Sequence, residues 1–192
     1  MSTAVEDEVL FERIGEHVAL VTLNRPSARN AVNGAVALAL EAFTKQVEAD
    51  KSIRVAVLAA KGDVFCAGLD LKAVAAGKMW ETVRPDSGFA GFVYAKKSKP
   101  WIAVVQGPAA GGGVEIALSC DLIVASEAAS FALPEVKRGL IAGAGGAYRI
   151  TRALSRPLAI EMVVTGEPLN ARRAYEAGLI NRITAPGAER DE

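Results

Sequence analysis

The sequence predicts an α/β fold, and three features carry that expectation. Residues 55–60 (Val-Ala-Val-Leu-Ala-Ala) and 101–106 (Trp-Ile-Ala-Val-Val-Gln) are almost continuously apolar, as in parallel strands covered on both faces. A strand, a long helical stretch and a second strand follow one another over residues 17–60, the order of a crossover unit. Residues 101–119 then run from a buried strand through Gly111-Gly112-Gly113 into a helix.

In chain order, residues 9–14 and 17–23 read as a hairpin around Gly15-Glu16, with His17 opening the second strand. This is the only histidine, so no histidine metal cluster can form, and a surface strand residue is the expected role. Asn24 to Ala31 is rich in turn residues. Asn33 is placed to cap a helix running to about Asp50, with Val36, Leu40, Phe43 and Val47 at helical spacing. After the strand at 55–60, Lys61-Gly62-Asp63 turns the chain toward a short helix from Leu71 to Ala76. Residues 77–91 read as a loop with exposed Met79, Trp80 and Phe89, and loops of this length are usually functional or mobile. Phe92 to Lys99 reads as helix, ended by Pro100. Strands are expected at 121–125 and 130–133, and a bend at 134–140. Helices are expected from about Ala147 to Leu154, from Pro157 to Val164, and after the cap Asn170 until Gly178. Leu179 to Ile183 reads as a last strand. The expected organisation is a flexible stretch at 1–8, one core domain at 9–184 and a polar, frayed tail at 185–192.

At 192 residues the chain fits one domain able to bury a real core. Lys and Arg number 22, as do Asp and Glu, so the net charge is zero. This argues against a nucleic-acid partner and makes self-association plausible. Cys66 and Cys120 give no disulfide framework and suit a reducing compartment. No apolar run reaches the roughly 18 residues of a membrane span. The acidic N-terminus is unlike a signal or transit peptide, so a cytoplasmic location is expected.

The chemistry concentrates around the glycine turn. The N–H groups that open a helix have no partner within it and can hold an anion, including one that develops during a reaction. Glu115 lies just inside that helix, and Glu135 follows twenty positions later, after Pro134. Each residue also has a plain structural reading. The glycines can serve close packing, Glu115 a salt bridge or cap, and Glu135 a surface turn. Cys66 reads as a buried packing residue and Asp70 as the cap of the short helix after it. A dinucleotide fingerprint and a phosphate-binding P-loop both fail, because neither glycine pattern is present. Trp80, Phe89, Phe92 and Tyr94 shape either an acyl pocket or the core.

Together these segments resemble the crotonase superfamily, the enoyl-CoA hydratase and isomerase group. The matching motifs are Asn24-Arg25-Pro26 with Asn30-Ala31, Phe65 to Leu71, Gly111 to Glu115, Cys120-Asp121, Phe131 to Glu135, Gly145-Gly146 and Thr165-Gly166. The resemblance covers residues 9–183 and implies a spiral of ββα turns with two roughly perpendicular sheets and surrounding helices. It implies an acyl-CoA thioester as substrate and trimers or hexamers as the assembly; no separate cofactor is expected, and one His with two distant Cys builds no typical set of metal ligands. By motif, the amides of Leu69 and Gly112 bind the thioester oxygen, and Glu115 and Glu135 hold the reacting water. It also implies that Ala67 and Leu71 line the coenzyme A path and that Arg25 and Lys72 lie near phosphates. Ala28, Gly68, Asp70, Gly111, Pro134 and Gly143 complete the expected substrate contacts.

Two departures stand out. Gln106 occupies a position where the family usually has Asn. The family also continues with a C-terminal helical segment that packs on a neighbour and closes part of the acyl-CoA site, whereas this sequence stops at Glu192. The leading expectation is an enoyl-CoA hydratase. An enoyl-CoA isomerase and a carnitinyl-CoA-type dehydratase stand beside it. The alternative of another class is an acyl-CoA-binding or oligomerisation module, inactive because shortened.

Overall fold

The computed structural model describes residues 8–189. The expectations for residues 1–7 and 190–192 lie outside the described residues. Glu8, assigned above to the N-terminal stretch, is held in place: its carbonyl accepts from the Asn24 N–H and its carboxylate lies 3.0 Å from the Arg25 guanidinium. At the other end, residues 185–189 form a turn, with Glu189 buried and accepting from the Gly187 N–H.

The chain climbs as a spiral, and each turn of it is a strand of a large sheet, a strand or bridge of a small one, and a helix. Strands β1 (Val9–Ile14) and β2 (Val18–Leu23) form the expected antiparallel hairpin. His17 falls just before β2, where its Nδ1 lies 2.9 Å from the Ser52 carbonyl. From β2 the chain passes Val32, which bridges to Leu69, and enters α1 (Gly34–Ala49). The Asn33 side chain accepts from the Val36 N–H, as a cap should. The next turn is β3 (Val55–Ala60), then Cys66, which bridges to Ala109, then α2 (Leu71–Ala75).

Residues 77–91 carry structure that the sequence did not announce. A 3-10 turn at Met79–Thr82 leads into a small hairpin, β4 (Val83–Arg84) and β5 (Gly88–Phe89). Trp80 is exposed as expected, but Phe89 is buried. The expected helix at Phe92–Lys99 is absent; the segment is a turn followed by irregular chain. Its polar groups are satisfied elsewhere: Lys97 Nζ donates to the Phe92 carbonyl, Ser98 N–H donates to Glu48, and Lys99 Nζ donates to the carbonyls of Val47 and Asp50 at the end of α1.

The third turn is β6 (Trp101–Val105), β7 (Ala109–Ala110) and α3 (Gly112–Ala117). The fourth is β8 (Leu122–Ser126), β9 (Ser130–Ala132), a 3-10 turn at Pro134–Arg138, then α4 (Gly146–Ala153) and α5 (Arg156–Thr165). The chain closes with β10 (Leu169–Asn170), α6 (Ala171–Glu176) capped by the Asn170 side chain, and β11 (Arg182–Thr184). The last strand is shorter than expected, because Leu179 and Ile180 are buried in the turn that ends α6.

The large sheet has the order β1-β2-β3-β6-β8-β11, parallel apart from the first pair. The small sheet has the order β10-β9-β7. Strand periodicity divides the large sheet's side chains between two faces. Ala19, Val21, Ala56, Leu58, Ala103, Val105, Ile123 and Ala125 belong to the main core with the inward side chains of α1 and α3. Leu20, Ala59 and Val104, with Val57, form a small cluster on the opposite face. No helix among the described residues is long and apolar enough to cross a membrane.

Candidate active site

Segments 65–69 and 109–113 are pressed together so tightly that only glycine fits. Cys66 accepts the Ala110 N–H, and Phe65 and Cys66 donate to the Pro108 carbonyl. A Cβ on Gly113 would collide with the Cys66 carbonyl, and one on Gly68 would stand 2.8 Å from the Ala110 carbonyl and 2.9 Å from the Gly112 nitrogen. Gly68 and Gly111 have φ of +86° and +53°, a region costly for residues with a side chain. The sequence therefore brings the Leu69 and Gly112 backbones to one place through close packing.

The amides of Leu69 and Gly112 are both free. Among the described residues neither donates to a protein acceptor. The Leu69 carbonyl side of the chain is fixed instead by its neighbours: Gly68 accepts from Val32 N–H, and Asp70 N–H donates to Val32. Both residues line a cleft of about 990 Å³. Helix α3 is only six residues long, so its free N–H groups matter more here than its dipole.

Two carboxylates enter the same cleft. Glu115, 4% exposed, points from the first turn of α3 and accepts the Gly146 N–H at 2.9 Å through Oε1. Burial pushes its pKa up; the Gly146 bond opposes that shift, and the charge of Glu135 adds to it. Glu135 sits in the 3-10 turn after Pro134, with Oε1 2.9 Å from where a Gly111 Cβ would be. Its Oε2 is buried without a hydrogen-bond partner. Burial raises its pKa as well. Both carboxyls therefore hold a proton more readily than an exposed glutamate, chiefly through burial.

Of the other expected contacts, Ala67, Leu71, Gly111, Pro134 and Gly143 line the cleft. Gly68 supports it from behind through its close approach to Gly112. Arg25 does not reach it: its guanidinium is occupied by Glu8, Asp70 and the Ala31 carbonyl. Asp70 caps α2 through the Lys72 N–H and holds Arg25, so it serves the frame. Ala28 lies in a 3-10 turn and Lys72 on the exposed side of α2, both outside the cleft wall. Of the aromatic group, Trp80, Phe89 and Tyr94 line the cleft, whereas Phe92 packs edge-on against Trp101 in the core. Gln106, the departure noted in the sequence, donates to the Gly62 carbonyl away from the cleft.

Cys66 is fully buried, with Sγ against the Asn30 carbonyl, and burial pushes its thiol up to about 12, far from a thiolate nucleophile. Among the described residues no three of His, Cys, Asp and Glu gather as metal ligands.

Sequence reasoning missed Arg84, Leu140 and Ile141 as cleft residues and Arg149 as a brace. Arg149 donates to the carbonyls of Val93 and Ala144, tying the cleft-side segment to α4. It also missed Glu41, whose signal was present: Ala37, Glu41 and Thr44 follow one another on the buried stripe of α1.

The chain resembles known proteins along almost its whole length. A family model described as enoyl-CoA hydratase/isomerase matches residues 13–189. An enoyl-CoA hydratase from Mycobacterium tuberculosis H37Rv, known by crystal structure, is 44% identical and superposes with a TM-score of 0.93, over 97% of this chain and 72% of that one. A carnitinyl-CoA hydratase from Mycobacterium avium is 46% identical, again with a TM-score of 0.93 and the same coverage. The 2,3-dehydroadipyl-CoA hydratase of Escherichia coli (strain K12) is 39% identical over 168 residues, 88% of this chain and 66% of that protein. On fold, family match and relatives together, this chain belongs to the enoyl-CoA hydratase/isomerase family.

Proposed function

We propose that this protein adds water reversibly across the double bond of a 2-enoyl-CoA thioester. The free amides of Leu69 and Gly112 hold the thioester oxygen and stabilise the enolate that forms there; such a hole contributes several kcal/mol, with one donor worth about 3–4. Glu115 takes a proton from water as the oxygen bonds to the β-carbon, and Glu135 gives a proton to the α-carbon. The reverse steps dehydrate a 3-hydroxyacyl thioester.

The observation that carries this reading is the pairing of two cleft carboxyls, both with raised pKa, beside two free amides. Their surroundings support the division of labour. The Gly146 N–H favours an ionised Glu115, as a base requires. The unpartnered, buried Oε2 of Glu135 favours a carboxyl that holds its proton.

Incubation with crotonyl-CoA tests the reading: the absorbance of the enoyl thioester falls with the wild type and falls far more slowly with Glu135→Gln. Turnover of a 3-enoyl-CoA to the 2-enoyl isomer, without hydration, would assign isomerase chemistry instead. Binding without either reaction would leave an acyl-CoA-binding module. Self-association into trimers accompanies this reading, supported by the exposed apolar side chains of Val136, Leu140 and Ile141 beside the cleft; light scattering measures it. A cytoplasmic location goes with the two free thiols and is checked by cell fractionation.

A further inference from the structure

A buried carboxylate outside the catalytic pair grips the wall of the cleft. Glu41 lies on α1, 7% exposed. Its Oε1 accepts from Ser87 Oγ at 2.8 Å and its Oε2 from Arg84 Nε at 3.1 Å. Both donors belong to the hairpin of β4 and β5: Arg84 ends β4, and Ser87 is the last residue of the turn before β5. The hairpin is laid against the helix so closely that a Cβ on Gly91 would collide with the Ala37 carbonyl and stand 2.8 Å from Glu41 Cβ. The same hairpin carries Phe89, whose ring fills the space where a Gly112 side chain would be. A chain of contacts thus runs from Glu41 through Ser87 and Arg84 to Phe89, and from Phe89 to the residue whose amide faces the cleft.

We propose that Glu41 is a positioning residue for acyl-chain selection, fixing this hairpin so that Phe89 limits the length of chain accepted beside Gly112. The inference rests on the acyl-thioester reading given above. A carboxylate is suited to the task because one oxygen takes a bond from the end of β4 and the other a bond from the turn that leads into β5, so together they lock the hairpin against sliding along α1. Burial keeps the Ser87 bond out of competition with water, while the Arg84 bond is half-buried. A hairpin of two-residue strands without such an anchor would be among the softest parts of the fold. An acyl chain whose thioester oxygen meets the Gly112 amide must pass the ring that packs on Gly112. A fixed ring excludes long chains, and a loosened ring admits them.

The test compares butyryl-CoA and decanoyl-CoA binding by calorimetry, which needs no turnover. Glu41→Gln, Ser87→Ala and Phe89→Ala are each measured beside the wild type, with circular dichroism as the check on folding. The expected result is that the affinity ratio of decanoyl-CoA to butyryl-CoA rises at least fivefold in all three, Phe89→Ala showing the same direction with the clamp intact. A purely structural Glu41 would instead weaken both ligands alike. A ratio within twofold of wild type in folded Ser87→Ala, which deletes a single hydroxyl, overturns the proposal even if Glu41→Gln does not fold. Binding of both thioesters without hydration would remove the proposed reaction and leave the chain-length comparison to decide this point. Failure of the wild type to bind either thioester overturns both.

Discussion

Oε1 of Glu115 accepts the backbone N–H of Gly146 at 2.9 Å, so the buried carboxylate is fastened to the first residue of α4. A glutamine side chain can keep that bond while losing the ability to take a proton. Glu115→Gln is therefore expected to fold and to lose about 10²–10⁴-fold in hydration rate. The sign of its stability change depends on pH. Burial raises the pKa of Glu115 above its ordinary value near 4.5, so the wild type loses stability as pH rises from there to the folded value. Glu115→Gln removes that loss. Urea denaturation should show the variant at least as stable as wild type at pH 8, by up to about 1 kcal/mol, with the gain disappearing at pH 4.

The glycine turn separates two kinds of crowding. A methyl group on Gly113 would strike the Cys66 carbonyl, which is backbone, whereas one on Gly112 would strike the edge of the Phe89 ring, a side chain that is displaced at less cost than backbone. Gly113→Ala is expected to cost about 3 kcal/mol or more, beyond what an ordinary overpacked side chain costs. Gly112→Ala should cost less in stability and more in kcat, because it displaces the ring beside the oxygen-binding amide. Thermal melting and crotonyl-CoA kinetics on both variants check the order, and equal losses of stability would contradict it.

Elements that follow from local periodicity were readable in the chain, and elements made by distant contacts were not. The stripe of Val36, Leu40 and Val47 and the cap Asn33 defined α1. The apolar run at 55–60 marked a strand between parallel neighbours. The hairpin at 83–89 left no such trace, since its two-residue strands are held by Glu41 from a helix more than forty positions earlier. The expected helix at 92–99 failed for the same reason: Ser98 and Lys99 find better partners at the end of α1 than in a helix of their own. In the site, Glu115 and Glu135 could be named from motif and spacing. Arg25 could not be placed, because its residue type suits a phosphate and a buried ion pair equally, and only the positions of Glu8 and Asp70 decide.

That ion pair makes its own pH signature. Burial alone would raise the pKa of Asp70, but the Arg25 guanidinium and the Lys72 N–H outweigh it and hold it below its ordinary value of 3.8. A depressed carboxylate stabilises the fold above its unfolded pKa and loses that contribution as pH falls through the folded value. Asp70→Asn is expected to cost about 1–3 kcal/mol at pH 7, the range of a bond to a charged group. The gap between variant and wild type should close below pH 3.8. Melting temperatures across an acid series test it, and a gap that stays constant with pH would assign the loss to packing.

Asn30 offers the sharpest link between the frame and the oxygen-binding amides. It is 1% exposed and sits at φ +53°, a conformation that asparagine tolerates better than most residues. Its Oδ1 accepts from the Arg25 N–H at 2.8 Å, and its Nδ2 donates to the carbonyls of Lys61 and Val64 at 2.9 and 2.7 Å. Its own carbonyl faces Cys66 Sγ. One side chain thus stitches the turn at 25–31 to the loop that delivers Leu69 to the cleft. Asn30→Asp keeps the size and the acceptor but removes both donors, leaving two buried carbonyls facing a carboxylate. It is expected to lose about 2–4 kcal/mol, from buried groups left unpaired, and to lower kcat more than it raises KM because Leu69 shifts. Asn30→Gly keeps the backbone conformation and loses only the side-chain bonds, so it should fall between wild type and Asn30→Asp in stability. Denaturant titration together with steady-state kinetics on the folded variants checks both expectations. Full stability in Asn30→Asp would mean that the loop at 61–64 is held by other contacts.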